Sequence, residues 1–259
     1  MKALFITGTD TGVGKTTVSV GLSAFFSLNK NMDVGVMKPF ESGLSKRDKD
    51  LLPWDGICLK EASGSNDNIE MVSPYTFEAP LAPEVAAMLE HVKIDLELID
   101  RIYNKLLKIH DMVIIEGAGG VLVPIKKGFF YADLIKRWDV PTIIVSRLSL
   151  GTINHTLLTS LYLQTMGIKV VGVILNDTEG TNNLAAKTNP EVLKRYLNVP
   201  VLGIFPYMKD LLKGNMDREL LADTFARYID VGALLNGLLP KQLSIPLSAK
   251  AGRTLRIRR

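Results

Sequence analysis

Cysteine is nearly absent from this chain, with Cys58 standing alone among 259 residues. One thiol excludes an intrachain disulfide framework and any cysteine-based metal cluster. Histidine is scarce as well, and His91, His110 and His155 are scattered without ligand spacing, so no structural zinc is expected. No apolar run approaches the roughly 18 to 20 residues that span a bilayer, and no charged-then-apolar leader opens the sequence. The expectation is therefore a cytoplasmic protein. Acidic residues are missing from the end of the chain, where residues 241–259 hold Lys241, Lys250, Arg253, Arg256, Arg258 and Arg259. The formal net charge of +4 thus belongs to a tail, and the rest of the sequence is slightly acidic, so neither nucleic acid nor membrane is expected as a partner. Pro246 and Gly252 interrupt that tail, which has no sustained helical periodicity and reads as a disordered basic extension over residues 236–259.

What is present is the composition of an ordinary globular protein, 47% hydrophobic and 22% charged, without internal repeats or an interdomain linker. One domain over residues 1–235 is the economical reading. Six short apolar runs read as strands: Ala3 to Ile6, Val34 to Met37, Met112 to Ile115, Thr142 to Val145, Val170 to Leu175 and Val201 to Ile204. None alternates with polar residues, which is the pattern of strands covered on both faces. Helical stretches separate several of them, at Val18 to Leu28, Leu96 to Lys108, Ile153 to Met166, Pro190 to Leu197 and Arg218 to Tyr228. The fold expected is an α/β domain with a mainly parallel sheet flanked by helices on both faces.

The first strand runs into Gly8-Thr9-Asp10-Thr11-Gly12-Val13-Gly14-Lys15-Thr16-Thr17 and then into a helix, the setting of a phosphate-binding P-loop. Inward N–H groups and the positive end of the helix suit a polyphosphate; Lys15 can reach its outer phosphates, and the Thr16 hydroxyl can hold Mg²⁺. The glycine spacing is unusual, because Gly8 lies one residue earlier than the common first glycine and Gly12 is added. Lys15 and Thr16 carry the assignment.

Ligands of such sheets sit at the carboxyl ends of the strands. After the second strand comes Lys38-Pro39-Phe40-Glu41-Ser42-Gly43, where Lys38 could face a bound anion. After the third comes Glu116-Gly117-Ala118-Gly119-Gly120, a carboxylate placed for a Mg²⁺ contact, with glycines that allow close backbone approach. After the fifth, Asn176-Asp177 offers either an amide for an adenine edge or simply a turn.

Together, GTDTGVGKT, Lys38-Pro39 with Ser42-Gly43, Asp55, Pro74-Tyr75, Glu116 to Gly120, Gly151-Thr152-Ile153-Asn154-His155 and Asn176-Asp177 resemble dethiobiotin synthetases, from the first strand to about Leu235. The resemblance implies a homodimeric P-loop ligase that closes the ureido ring of dethiobiotin from 7,8-diaminopelargonate, CO₂ and ATP with Mg²⁺. By position it implies that Gly12, Val13, Gly14, Lys15, Thr16 and Thr17 hold the triphosphate, with Glu116, Gly117, Ala118 and Gly119 beside it. Thr16, Asp55 and Glu116 would surround Mg²⁺. Thr11, Lys15 and Lys38 would surround a substrate carbamate, and Ser42 would touch the substrate. Asn176 and Asp177 would meet the base, walled by Pro206, Tyr207 and Met208.

The resemblance also assigns Gly151, Thr152, Ile153 and Asn154, a helix start with free N–H groups, to the substrate carboxylate of the other subunit. Two further readings stay open at this point. One is a P-loop switch ATPase of the partition or division-site type, although such proteins carry a lysine where this chain has Asp10. The other is a non-catalytic nucleotide-binding domain on the same scaffold.

Overall fold

The computed structural model describes residues 2–47, 50–180, 183–209, 211 and 216–239. The basic residues from Lys241 onward lie outside that set. Strand β1 (Ala3–Gly8) leads through the glycine-rich loop into α1 (Lys15–Ala24), which continues as a π-helical turn over Phe25–Asn29. Next come β2 (Val34–Met37), the short strands β3 (Phe40–Ser42), β4 (Ser45–Arg47) and β5 (Asp50–Leu52), then helices α2 (Trp54–Ser63) and α3 (Ile69–Val72). Strand β6 (Tyr75–Phe77) and helices α4 (Pro83–Leu89) and α5 (Leu96–Ile109) precede β7 (Met112–Gly120). The small strands β8 (Pro124–Lys126) and β9 (Phe129–Phe130) lead into α6 (Tyr131–Trp138). The rest alternates: β10 (Thr142–Arg147), α7 (Thr152–Thr165), β11 (Val170–Asn176), α8 (Leu184–Tyr196), β12 (Val201–Phe205), α9 (Arg218–Tyr228) and α10 (Val231–Leu238).

All six expected apolar runs are strands, and they form one parallel sheet in the order β12-β11-β10-β1-β7-β2. Their side chains divide between two cores, as a period of two dictates. Leu4, Ile6, Ile114, Ile143 and Val145 point to one face, where Val18, Leu22, Leu59, Leu221, Phe225 and Leu234 of α1, α2, α9 and α10 cover them. Phe5, Val113, Ile115 and Ile144 point to the other, under Ala86, Ile99, Leu134, Leu163 and Leu193 of α4 to α8. From β1 the chain moves to β2 and β7 on one side and to β10, β11 and β12 on the other. The crevice of such a sheet therefore opens at the carboxyl end of β1.

Several boundaries differ from the sequence expectation for identifiable reasons. Strand β7 does not stop at Ile115; Ile6 pairs with Glu116 and Gly8 with Gly120, so Glu116 lies inside a strand. Helix α8 starts at Leu184 rather than Pro190, because Asn183 caps it by accepting the Ala186 N–H at 2.8 Å. Pro190 sits within that helix. The expected edge at Leu235 falls inside α10, whose Leu234 and Leu238 are buried in the core.

Candidate active site

The P-loop backbone explains its own glycines. Gly12 and Gly14 have φ of 73° and 84°, in the left-handed region that favours glycine. A Cβ on Gly14 would lie 1.9 Å from Asn176 Nδ2. Gly8, at the end of β1, is constrained differently: a Cβ there would meet the Asp10 carbonyl and Val13 Cγ2 at 2.9 Å and Lys15 Nζ at 3.0 Å. The displaced first glycine thus gives room for the loop to fold back over the strand end. Val13 itself is buried in the core, so only its backbone faces outward chemistry.

Around this loop lies a cavity of about 400 Å³ lined by Thr11, Gly12, Gly14, Lys15, Thr16, Thr17, Lys38, Ser42, Asp55, Glu116, Ala118 and Gly119 among others. These come from the loop, α1, β3, α2 and β7, and from the turn after β2. Their charges are arranged as one cluster. The Lys38 ammonium donates to Glu116 Oε1 at 2.7 Å and also to Asp55. The Thr16 hydroxyl donates to the same Glu116 oxygen at 2.8 Å. The Lys15 ammonium rests on the Asp10 carbonyl at 3.1 Å. Lys38 is 4% exposed and Glu116 0%.

Burial opposes the Lys38 charge, yet Glu116, Asp55 and Glu41 outweigh it and hold its pKa above the ordinary lysine value. Burial likewise works against the Asp55 carboxylate, but Lys38 first, then Thr16 and Lys15, keep it below the usual range. For Lys15 the balance goes the other way: burial dominates, Glu116 opposes, Lys38 adds to the effect, and the pKa falls to about 8. The sequence placed Lys38 opposite a bound anion; in the structure it is paired with two carboxylates, Asp55 and Glu116. That cluster is what a parallel sheet produces when a lysine follows one strand, a glutamate lies within the neighbouring strand and a threonine stands in the first turn of the helix after the next.

Not every expected residue reaches the cavity. Asn176, the last residue of β11, is buried behind Gly14 and donates from Nδ2 to the Val13 carbonyl at 3.1 Å, while its Oδ1 has no partner. Asp177 closes its own turn by accepting the N–H groups of Glu179 and Gly180 at 3.1 and 2.8 Å. Pro206 follows β12; Tyr207 packs over Gly180, and Met208 packs on the core. Gly117 packs its backbone close to Phe5 and Tyr131.

Gly151, Thr152, Ile153 and Asn154 are not among the lining residues of the cavity. The Thr152 side chain is structural: it is buried, with its hydroxyl 2.6 Å from that of Ser146, which lies 2.8 Å from Thr156 Oγ1 and 3.2 Å from Thr9 Oγ1. Gly151 and Asn154 are exposed and Ile153 is half-buried. Sequence reasoning missed the apolar wall of the cavity, Pro80, Leu81, Ala82, Pro83 and Val123. Pro80 and Pro83, the latter opening α4, were its available signal.

Sequence reasoning also passed over Glu41. It is buried beside the cluster and accepts the Asp55 and Gly56 N–H groups at 2.8 and 3.0 Å and the Ser73 hydroxyl at 3.1 Å. Burial pushes its pKa up to about 7; Lys38 opposes, Asp55 adds to the rise, and the two N–H groups oppose.

An AAA domain family matches residues 2–214. The chain is 42% identical over 245 residues to the ATP-dependent dethiobiotin synthetase of Thermodesulfovibrio yellowstonii, covering 91% of this chain and 100% of that protein. The corresponding enzyme of Bacillus subtilis (strain 168) is 39% identical over 236 residues, with 91% and 98% covered. Among solved structures, a putative plasmid partition protein from Borrelia burgdorferi B31 bound to AMPPNP aligns with a TM-score of 0.54 at 16% identity, over 87% of this chain and 98% of that one. That likeness establishes a shared P-loop fold and nothing further. Position 10 is also unlike a partition-type switch, since Asp10 accepts from Arg147 Nη2 at 2.7 Å across the loop. With this identity to synthetases extending over 91% of its length, the chain belongs to the family of ATP-dependent dethiobiotin synthetases, ligases that form C–N bonds.

Proposed function

We propose that this cavity joins CO₂ to the two amines of 7,8-diaminopelargonate at the expense of ATP, with Mg²⁺, in a cytoplasmic homodimer. The observation that carries the reading is the convergence of Lys15, Thr16, Lys38, Asp55 and Glu116 on one cavity at the end of β1. A neutral amine of the substrate bonds to the CO₂ carbon and loses a proton, giving a carbamate. A carbamate oxygen attacks the γ-phosphorus and expels ADP. The second amine then attacks the carbonyl carbon of the mixed anhydride, closes the ring and expels phosphate, its proton passing to the departing phosphate or to water. No side chain forms a covalent bond in this scheme. Positioning and electrostatic stabilisation of accumulating negative charge are what the site supplies.

Each role follows from position. The N–H groups of Gly12 to Thr17, with the N-terminal end of α1, bind the triphosphate. Lys15 leaves the Asp10 carbonyl for the outer phosphates. Lys38 and Thr11 hold the carbamate, Ser42 orients the diamine, and the apolar wall at Pro80 to Pro83 accompanies its hydrocarbon chain. The unpartnered but buried Asn176 Oδ1 suits the exocyclic amine of adenine once the segment covering it moves aside. Among the described residues no group of three or more His, Cys, Asp or Glu gathers for a metal. A hydroxyl and two carboxylates, one of them Glu116 with its unpartnered Oε2, nevertheless fit Mg²⁺, which keeps waters and phosphate oxygens among its ligands. Thr16, Asp55 and Glu116 would hold it, and its charge would offset that of the phosphates.

A coupled phosphate-release assay tests the reading. Release is expected to be nearly idle with ATP and bicarbonate and to rise sharply on addition of diaminopelargonate; slow hydrolysis indifferent to the diamine would overturn it. The scheme includes no nucleic-acid or membrane partner, and among the described residues no helix is long and apolar enough to cross a membrane.

The dimer is supported by an apolar patch at and beside α7. Leu150 is 88% exposed, Leu158 57%, Leu161 59% and Leu184 76%, and Asn154 shares the α7 face with Leu158 and Leu161 by helical spacing. If that face meets its symmetry mate, the start of α7 can serve the partner's site. Mixing Lys15→Ala with Asn154→Asp subunits by joint refolding is then expected to restore roughly a quarter of wild-type activity, because half of the dimers carry one intact site. Mixed dimers without recovery would confine the site to one subunit.

A further inference from the structure

Helix α2 begins without a cap of its own. Its N-cap position is Pro53, which makes no side-chain capping bond, so the first N–H groups of the helix need a partner from elsewhere. Glu41 of β3 provides it, one carboxylate oxygen accepting from Asp55 N and the other from Gly56 N, at 2.8 and 3.0 Å. Ser73, just after α3, donates its hydroxyl to the second oxygen at 3.1 Å. Gly56 is shaped to this contact, since a Cβ there would lie 2.1 Å from Ser73 Oγ and 3.2 Å from Glu41 Oε2.

The support beneath Glu41 is rigid. Its neighbour Phe40 stacks on Tyr75 at 5.4 Å between ring centroids and meets Tyr131 edge-on at 6.2 Å. Tyr75 accepts the Asp95 N–H at 2.7 Å, and β3 pairs with β6 through Phe40–Tyr75, Glu41–Thr76 and Ser42–Phe77. A buried carboxylate on this platform thus grips the residue whose side chain meets Lys38.

We propose that Glu41 is a positioning residue: by capping the first turn of α2 from β3, it sets the Asp55 carboxylate against Lys38 and Thr16 and so shapes the cation site. The inference rests on the reading of Asp55 as a Mg²⁺ ligand. Partners that orient a ligating side chain commonly change metal affinity or activity by about 10–100-fold when replaced. Glu41→Gln keeps the shape but exchanges one acceptor for a donor, which then faces the N–H of either Asp55 or Gly56, so the turn shifts and Asp55 with it.

The test compares Glu41→Gln, Asp55→Asn and the double variant, with Mn²⁺ titrated into protein saturated with a non-hydrolysable ATP analogue and followed by EPR. Glu41→Gln is expected to raise the apparent Mn²⁺ dissociation constant about tenfold or more, with kcat falling and the KM for the diamine within about twofold. The double variant is expected to bind no more weakly than Asp55→Asn, because Glu41 acts through Asp55. If Asp55→Asn leaves Mn²⁺ binding unchanged, the metal reading itself fails. If Asp55→Asn weakens binding while Glu41→Gln stays within twofold of wild type, the metal reading stands and the positioning role is overturned.

Should Glu41→Gln not fold, the wild-type chain carries the test by NMR hydrogen exchange. The Asp55 and Gly56 amides, which an uncapped first turn leaves open to water, are expected to be protected; exchange at the free rate overturns the proposal.

Discussion

Lys38→Gln is expected to lower dethiobiotin formation by at least about a hundredfold, the scale on which removal of one oriented electrostatic donor acts in a closed site. Binding of an ATP analogue should remain within a few-fold of wild type, because the partner assigned to Lys38 is the carbamate and the phosphates are held by the loop and Lys15. The variant has a second expected signature. Lys38 is the cation shared by Asp55 and Glu116, so glutamine leaves two carboxylates facing one another around a buried centre. Removing one partner from a buried ion pair costs about 3–5 kcal/mol, and the partial exposure of Asp55 places this case at the low end. The metal-free variant should therefore melt several degrees lower, and added Mg²⁺ with nucleotide should recover part of the loss. Turnover and nucleotide affinity falling together would show that Lys38 serves the triphosphate instead.

Glu116→Gln is the second change of large expected effect. One Glu116 oxygen accepts from both Thr16 and Lys38 while the other has no partner in a fully buried position. Glutamine retains the shape but can satisfy only one of these requirements, and it removes the charge that a divalent cation needs. Turnover should drop about a hundredfold or more, on the scale of lost electrostatic stabilisation in a dry site, and half-maximal activity should need a markedly higher Mg²⁺ concentration. An unaltered Mg²⁺ titration would remove Glu116 from the cation site. Circular dichroism unchanged from wild type would separate this effect from unfolding.

The strands were legible because each is an uninterrupted apolar run, the one local pattern that a sheet covered on both faces imposes. Helices such as α5 and α9 were legible as the stretches Leu96 to Lys108 and Arg218 to Tyr228, and the structure adds their caps, Asp95 and Asp217. Helix α2 was not: its cap is Glu41, thirteen residues before its first helical residue, and nothing local in Pro53-Trp54-Asp55 announces it. Helix α6 is only 8 residues long, too short for periodicity to declare itself. At the site, Lys15, Thr16, Lys38 and Glu116 stood out as polar residues at the ends of apolar segments. Their mutual salt bridges did not, since pairings such as Lys38 with Glu116 span 78 positions. Glu41 read as one more charge in a turn, and only tertiary structure reveals that its three donors come from α2 and from the end of α3.

The solitary thiol described at the outset lies on α2, three residues beyond Asp55, and is 1% exposed. A chain with a single buried cysteine contains its own clock. A reagent such as a maleimide finds no sulfur to attack in the closed form, so modification waits on the fluctuation that lifts α2 from α1 and β2. When that opening is rapid compared with the chemical step, the labelling rate divided by the rate for an exposed thiol gives the fraction of time the helix stands open. The helix being timed carries Asp55 and is gripped by Glu41. The reaction at Cys58 therefore converts the steadiness of this part of the site into a half-life, without any residue having to be introduced.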